Sequence, residues 1–216
     1  MKHTNSRTVI FLLLVTINII GTIILCSCGS TRNSDLPWNL ILVNAKNPIP
    51  KNYEVTLTKL SNGNMVDERI YPELQQMFDA ARSAGIYPTV SEAYRTSEEQ
   101  ESMMNEKIQE FIEEGYSKHK AKKLAKNWVA KPGTSEHELG LALNINADES
   151  FSSDEDVYSW LAENSYKYGF ILRYPPDKEN ITGIDYEPWH YRYVGQEAAN
   201  EIFERRICLE EYLSDT

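Results

Sequence analysis

The chain has 216 residues, of which 41% are hydrophobic and 25% charged, so it can bury one ordinary core and is not a disordered polymer. Its formal net charge is −10, and the first 27 residues contribute two positive charges, which leaves −12 on the remainder. A body this acidic repels phosphate groups, which excludes a protein that coats nucleic acid. Three cysteines are too few for a disulfide scaffold.

The N-terminal segment has the pattern of a targeting signal. Lys2 and Arg7 precede an apolar run of 17 residues at 9–25, the lower edge of what spans a membrane as a helix. The sequence around Cys28 resembles the lipobox of bacterial lipoproteins, in which this cysteine carries the lipid. Residues 1–28 are therefore open to three interpretations: a lipoprotein signal, an uncleaved membrane anchor or a cleaved secretory signal. Each puts the body outside the cytoplasm, on the outer face of the cell membrane or secreted.

After a polar tether at 29–37, the body at 38–216 reads as a single domain of short strands and amphipathic helices. Strands and helices mix without a regular βαβ alternation, which favours an α+β fold with a small antiparallel sheet flanked by helices. The predicted elements begin with a buried strand or extended arm at 40–43, a strand at 53–59, a helix from 70 that stops at Gly85 and a strand at 89–93. A helix at 96–114 with a Thr96–Glu99 capping box follows, and then a basic helix with a solvated face at 117–129. The last predicted elements are a strand at 139–145, a helix at 152–168 with a Ser152–Glu155 cap, strands at 170–173 and 191–194, and a helix from 196.

Two histidines lie in sequences typical of a functional site. His137 follows a turn-rich stretch and leads into an apolar strand, and His190 follows Glu187 at the start of another strand. A catalytic zinc takes three protein ligands, commonly histidines and a carboxylate, and leaves a fourth position for water. Glu187 could then act as the general base. From these residues alone, a zinc site and a pair of hydrogen-bonded histidines at a core edge both remain open.

Four blocks of sequence resemble the motifs of VanY-type D-Ala-D-Ala carboxypeptidases. Residues 135–142 are similar to the family motif S-x-H-x-x-G-x-A, and 187–195 to its E-x-W-H block. Residues 94–100 resemble the Y-R-(S/T)-x-x-x-Q block, and 168–175 the segment between the two metal motifs. The blocks occur in the family's order and the resemblance covers residues 38–202, so the body is identified as a member of this family of zinc metallopeptidases.

The resemblance implies a fold and a set of site residues. The fold is the α+β one shared with lysostaphin-type peptidases and the hedgehog signalling domain, in which a small antiparallel sheet carries Zn²⁺. The implied metal ligands are His137, Asn144 and His190. The implied general base is Glu187, and Arg95 takes the place of the arginine that binds the substrate carbonyl and stabilises the oxyanion, as a fixed cation can.

The resemblance also implies the reaction and the partners. The family removes the terminal D-Ala from peptidoglycan stem peptides ending in D-Ala-D-Ala, and this activity can serve resistance to vancomycin. Ser135 and Gln100, with Arg95, match positions that hold the peptide and its terminal carboxylate. The membrane is a second expected partner, through the N-terminal segment, and a monomer is expected. An endopeptidase or an L,D-specific relative shares these motifs and stays open.

One position departs from the family pattern. The second ligand is an aspartate in the family, whereas this chain has Asn144, a neutral amide that leaves a site charge of +2 rather than +1. Asp148 carries a charge, but in a continuing strand it lies about 13 Å farther along. Three interpretations follow: an enzyme with weakened metal binding, an enzyme that has lost activity, and a non-catalytic peptidoglycan-binding module that uses the same cleft.

Overall fold

A four-stranded antiparallel sheet forms the centre of the computed structural model, which describes residues 36–215. In spatial order its strands are β3 (Pro88–Glu92), β4 (Ala142–Ala147), β6 (His190–Tyr193) and β5 (Phe170–Leu172). β1 (Leu57–Lys59) and β2 (Met65–Asp67) pair in a separate two-stranded sheet. This small antiparallel sheet with helices around it is the α+β fold that the sequence predicted.

The described residues also form seven α-helices, and four of them share buried apolar clusters with the sheet, the sixth and seventh through Ile171 of β5. The side chains of Leu143 and Ile145 on β4 pack in one apolar cluster with residues of the first and fourth helices. The second and third helices meet in a small cluster of their own around Met104 and Val129. The helices are α1 (Tyr71–Ser83), α2 (Ser97–Glu113), α3 (Lys118–Ala125), α4 (Asp154–Asn164), α5 (Glu179–Thr182), α6 (Gln196–Arg205) and α7 (Leu209–Asp215).

Several predicted elements are confirmed with small shifts in their ends. The capping box of Thr96 and Glu99 begins α2 as expected. The cap of α4 was placed one residue too early, because Ser153 and Asp156 form the capping box. The predicted strand at 139–145 begins only at Ala142, since residues 136–139 form a 3₁₀ helix. The basic helix is shorter than predicted and its lysines face solvent.

The segment at 40–43 is an extended arm, and the alternative of a buried strand is wrong. Its residues form no ladder with the sheet, although Ile41 and Val43 are buried. The guanidinium of Arg192 donates to the carbonyl oxygens of Asn39 at 3.1 Å and Ile41 at 3.0 Å. A side chain therefore satisfies backbone groups that a neighbouring strand would otherwise bind.

Three elements were not predicted. The first is β2, which is too short to show a hydrophobic period. It pairs with β1, the only part of the predicted strand at 53–59 that forms a ladder. α5 lies between β5 and β6, where no element was predicted, and α7 is a separate helix after α6. Segments of three to seven residues hold too few apolar positions for periodicity to identify them.

The predicted targeting segment at 1–28 and most of the tether at 29–37 lie outside the described residues. The three interpretations of that segment therefore stay predictions. Within residues 36–215, the helices are all too short or too polar to cross a membrane.

Candidate active site

All seven predicted site residues line one cleft of about 260 Å³. β3, β4 and β6 contribute one part of this cleft, and α2 with the segment after α3 contributes another. The blocks at 94–100, 135–142 and 187–195, far apart in sequence, thus meet at one place. The predicted site residues found there are Arg95, Gln100, Ser135, His137, Asn144, Glu187 and His190.

His137 is held as a neutral ring. It lies in the 3₁₀ helix Glu136–Leu139, and its Nδ1 is 2.7 Å from the carbonyl oxygen of Ala93. Because a carbonyl only accepts, Nδ1 carries the proton and Nε2 keeps its lone pair. Burial lowers the pKa of His137 well below its usual range, and the electrostatic influence of the nearby His190 and Arg95 lowers it further. A neutral imidazole with a free lone pair is the form that binds a metal.

Gly140 turns the chain from this 3₁₀ helix into β4. Its φ is 72°, in the left-handed region, and a Cβ at this position would lie 3.0 Å from the backbone nitrogen of Asp67. A larger residue would therefore strain the turn and clash with the β-hairpin. The glycine of the motif thus sets the distance between His137 and the strand that carries Asn144.

Glu187 and His190 form a second buried group in the cleft. Oε2 of Glu187 is 3.1 Å from Nδ1 of His190, and both side chains are less than a tenth exposed. The ring of His190 meets that of His137 edge-on, with 4.9 Å between centroids, and the ring of Tyr174 packs against it at 4.8 Å. A carboxylate in so dry a place is suited to proton transfer, since little water competes for it.

The donor set fits a bound cation. Asn144 is opposite His190 in the β4–β6 register, so the two side chains share one face of the sheet. Within residues 36–215, neither Oδ1 of Asn144 nor Nε2 of His190 has a hydrogen-bond partner, although both are buried. Buried polar atoms without partners are unfavourable unless something completes them, and a metal ion between two imidazoles and an amide oxygen would do so.

Carboxylates do not take over the third ligand position. Across the described part of the chain, no three His, Cys, Asp or Glu side chains are placed to hold a metal ion together. Asp148 is exposed beyond the end of β4, where its carboxylate accepts a hydrogen bond from the backbone nitrogen of Ser150 at 3.1 Å. Asn144 is therefore the third donor that the geometry offers.

Arg95 is buried and held in place by two neighbours. Its Nη1 donates to Oε1 of Gln100 at 2.5 Å, and its Nε donates to Oε1 of Glu92 at 3.1 Å. The amide nitrogen of Gln100 in turn donates to the carbonyl of Ala130 at 2.7 Å. Gln100 thus uses both ends of its side chain within the protein, and it orients the guanidinium. Its predicted contact with the peptide stays a prediction, as does that of Ser135, which is buried at the same edge of the cleft.

The motifs did not identify one wall of the cleft. Met103 and Lys107 lie three and seven residues after Gln100, so helical spacing from Gln100 was a signal for both. The indole of Trp128 is 43% exposed, with Nζ of Lys107 at 5.9 Å from its ring centre. Glu92 was also missed, although it is three residues before Arg95. The other cleft residues without a predicted role are Val129, Ala130, Tyr174, Ile184 and Trp189.

A buried ionic cluster lies behind the two histidines and consists of Glu136, Arg173, Arg192 and Glu210. Oε1 of Glu136 is 2.9 Å from Nε of Arg173 and 2.8 Å from Nη1 of Arg192, and all three side chains are fully buried. Arg173 also makes a two-pronged pair with Glu210 on α7, at 2.9 and 2.7 Å. Glu136 precedes His137 and Arg192 follows His190 by two residues, so this cluster ties together the segments that carry the two rings.

Known proteins are similar to this chain in sequence and in fold. The sequence profile of VanY, a D-alanyl-D-alanine carboxypeptidase family, matches residues 63–196. The chain is 58% identical over 183 residues to a D-alanyl-D-alanine carboxypeptidase of Enterococcus faecalis, covering 85% of this chain and 68% of that protein. The fold is similar to that of the vancomycin resistance D,D-pentapeptidase VanY from a VanB-type cassette in complex with Zn(II), with a TM-score of 0.81, 58% identity and coverage of 82% of this chain and 99% of that one. VanYB in complex with D-alanine-D-alanine is equally similar, at TM-score 0.81 and 58% identity over 82% of this chain and 98% of that chain.

Proposed function

This chain belongs to the VanY family of D-alanyl-D-alanine carboxypeptidases, and on that premise we propose that it removes the terminal D-Ala from peptidoglycan stem peptides with zinc as its cofactor. The observation that carries the proposal is the buried pair of histidines, with the amide oxygen of Asn144 that has no hydrogen-bond partner among residues 36–215 and the carboxylate of Glu187 at 3.1 Å from Nδ1 of His190. Hydrolysis of precursors that end in D-Ala-D-Ala removes the group that vancomycin binds, so a role in glycopeptide resistance follows.

Each residue of the cleft has a separate role in the proposed reaction. His137, Asn144 and His190 would hold the metal, which when bound polarises the scissile carbonyl and activates the attacking water. Glu187 takes the proton of that water and returns it to the leaving amine. Arg95, fixed by Gln100, stabilises the negative charge that develops on the carbonyl oxygen. Ser135 would bind the peptide at the same edge of the cleft.

Release of D-Ala from a synthetic stem peptide tests the proposal. The zinc-loaded full chain is expected to release D-Ala from a peptide ending in D-Ala-D-Ala, to lose this activity with a chelator, and to regain it with zinc. Light scattering on the same sample tests the expected monomer.

Arg95→Ala is expected to lower turnover by about 10²-fold or more, the effect of losing an oxyanion donor.

The same assay separates the rival functions. A peptide with an L-residue before the terminal D-Ala is expected to be a poor substrate, and preference for it would assign the chain to the L,D-specific relatives. Binding of either peptide without D-Ala release, at full zinc occupancy, would favour the peptidoglycan-binding module. Cleavage within a cross-link rather than at a chain end would indicate an endopeptidase.

We propose that the body acts on the outer side of the cell membrane, held there through the N-terminal segment. The basic start, the apolar run at 9–25 and the lipobox-like sequence at Cys28 support this location. Cells fed a fatty-acid analogue are expected to label the unmodified protein but not Cys28→Ala. Equal labelling of both would reject the lipoprotein anchor and leave the membrane helix or the cleaved signal.

A further inference from the structure

Glu92 is a carboxylate in the cleft, and its contact with Arg95 is the one role given to it so far. In the register of the sheet, Glu92 of β3 is opposite Asn144 of β4, and Asn144 is opposite His190 of β6. Directly opposed residues on neighbouring strands point to the same face. The three side chains therefore form one row across three strands, and all three line the cleft.

A β-bulge brings Glu92 to this face. Val90 is opposite Ile145, which faces the core, and the register shifts between Val90 and Glu92. Strict alternation would turn Glu92 to the same side as Val90, and the extra residue of a bulge re-aims it. The hydroxyl of Ser91, inside the bulge, is 3.1 Å from the carbonyl oxygen of Asn144. The backbone thus sets the direction of Glu92.

The contacts of Glu92 determine how the Asn144 amide is turned. Oε2 of Glu92 accepts a hydrogen bond from Nδ2 of Asn144 at 3.0 Å. An ionised carboxylate only accepts, so the NH₂ end of the amide faces Glu92 and the oxygen faces away from it. That oxygen, Oδ1, is buried and has no hydrogen-bond partner among residues 36–215. It is therefore free to bind a cation beside the two histidines.

Glu92 acts on the site by orientation rather than by charge. Its carboxylate is paired with the guanidinium of Arg95, with Nη2 of Arg95 2.5 Å from Oε2 and Nε 3.1 Å from Oε1, so the pair brings no net charge to a cation. A partner that orients a ligand still strengthens metal binding. We propose that Glu92 is a positioning residue of the metal site, which holds Asn144 with its oxygen toward His137 and His190. This inference rests on the proposed function for the identity of the metal as zinc.

Zinc affinity of the metal-free full chain tests the inference without substrate, by competition with a chromogenic chelator. Glu92→Gln is expected to weaken zinc binding by about 10–100-fold, the range for losing a partner that orients a ligand. Adding Asn144→Asp to Glu92→Gln is expected to restore at least the original affinity, because a carboxylate ligand needs no partner to turn an oxygen toward the metal. Asn144→Asp alone is expected to gain less, because two carboxylates would face each other across a gap that is now 3.0 Å.

The control is Glu98→Gln, which removes one charge at an exposed position in the first turn of α2 and is expected to leave zinc affinity unchanged. Wild-type zinc affinity in Glu92→Gln, or additive effects of the two substitutions, would overturn the inference and leave the proposed function standing. No zinc binding in any variant, including Asn144→Asp, would overturn both. Melting of each metal-free protein identifies misfolding. If Glu92→Gln does not fold, Glu92→Asp, which shortens the reach to Asn144, is expected to show the same loss.

Discussion

Glu187→Gln is expected to lower turnover of a D-Ala-D-Ala peptide by about 10²–10⁴-fold, the usual contribution of a general base. The amide keeps the shape of the side chain and an oxygen that can accept from Nδ1 of His190, now 3.1 Å from the carboxylate. It has no basic oxygen to take the proton of water. The measurement is turnover at saturating substrate together with zinc content by mass spectrometry.

Zinc content separates the two roles that a carboxylate can have at this position. If Glu187 is the base and not a ligand, the variant retains its zinc while activity falls. Loss of zinc in parallel with activity would show that Glu187 is instead part of the ligand set. Glu98→Gln, which carries the same chemical change at an exposed position, is expected to retain both activity and metal.

Glu136→Gln is expected to lower the free energy of unfolding by about 3–5 kcal/mol, because it leaves two buried guanidinium groups without their shared carboxylate. Arg173 and Arg192 are both fully buried and both contact Oε1 of Glu136. A neutral amide cannot compensate two positive charges, although it matches the volume of the original side chain. Urea unfolding of the metal-free protein measures the loss, so the result does not depend on zinc affinity.

An exposed ion pair provides the comparison. Glu201 pairs with Arg205 on α6 at 2.6 Å, with both side chains at least 40% exposed. Glu201→Gln is expected to change the free energy of unfolding by about 0–1 kcal/mol, as for most surface pairs. A similarly small loss in Glu136→Gln would mean that water or a rearranged neighbour compensates the two arginines.

The sequence predicted the residues of the site better than their surroundings. His137, His190 and Glu187 were identified because their chemistry and the motifs around them are local in the chain. The face on which Asn144 lies follows from the sequence, since β4 alternates regularly between Leu143 and Ile145 in the core and Asn144 and Asn146 opposite. The inference that these segments meet came from the family resemblance, and the register of the sheet confirms it.

The features that the sequence did not predict depend on contacts between segments that are distant in the chain. Glu92 has the parity of the core residue Val90, and a one-residue bulge, which no periodicity reveals, turns it toward the cleft. The ionic cluster joins residues 136, 173, 192 and 210, and each of its members alone resembles an ordinary surface charge in the sequence. Pairing of distant charges is decided by packing, which composition and spacing do not encode.

The ionic cluster also implies an order in which the parts of the fold form during synthesis. Chains are synthesised from the N-terminus, and Glu210 is made after both histidines, both arginines and every strand of the sheet. Until α7 docks, Arg173 lacks the two-pronged partner that balances its burial. A nascent chain that stops before this helix therefore has the full set of cleft residues but carries an excess buried positive charge behind them. The cleft is expected to become rigid only after α7 has docked.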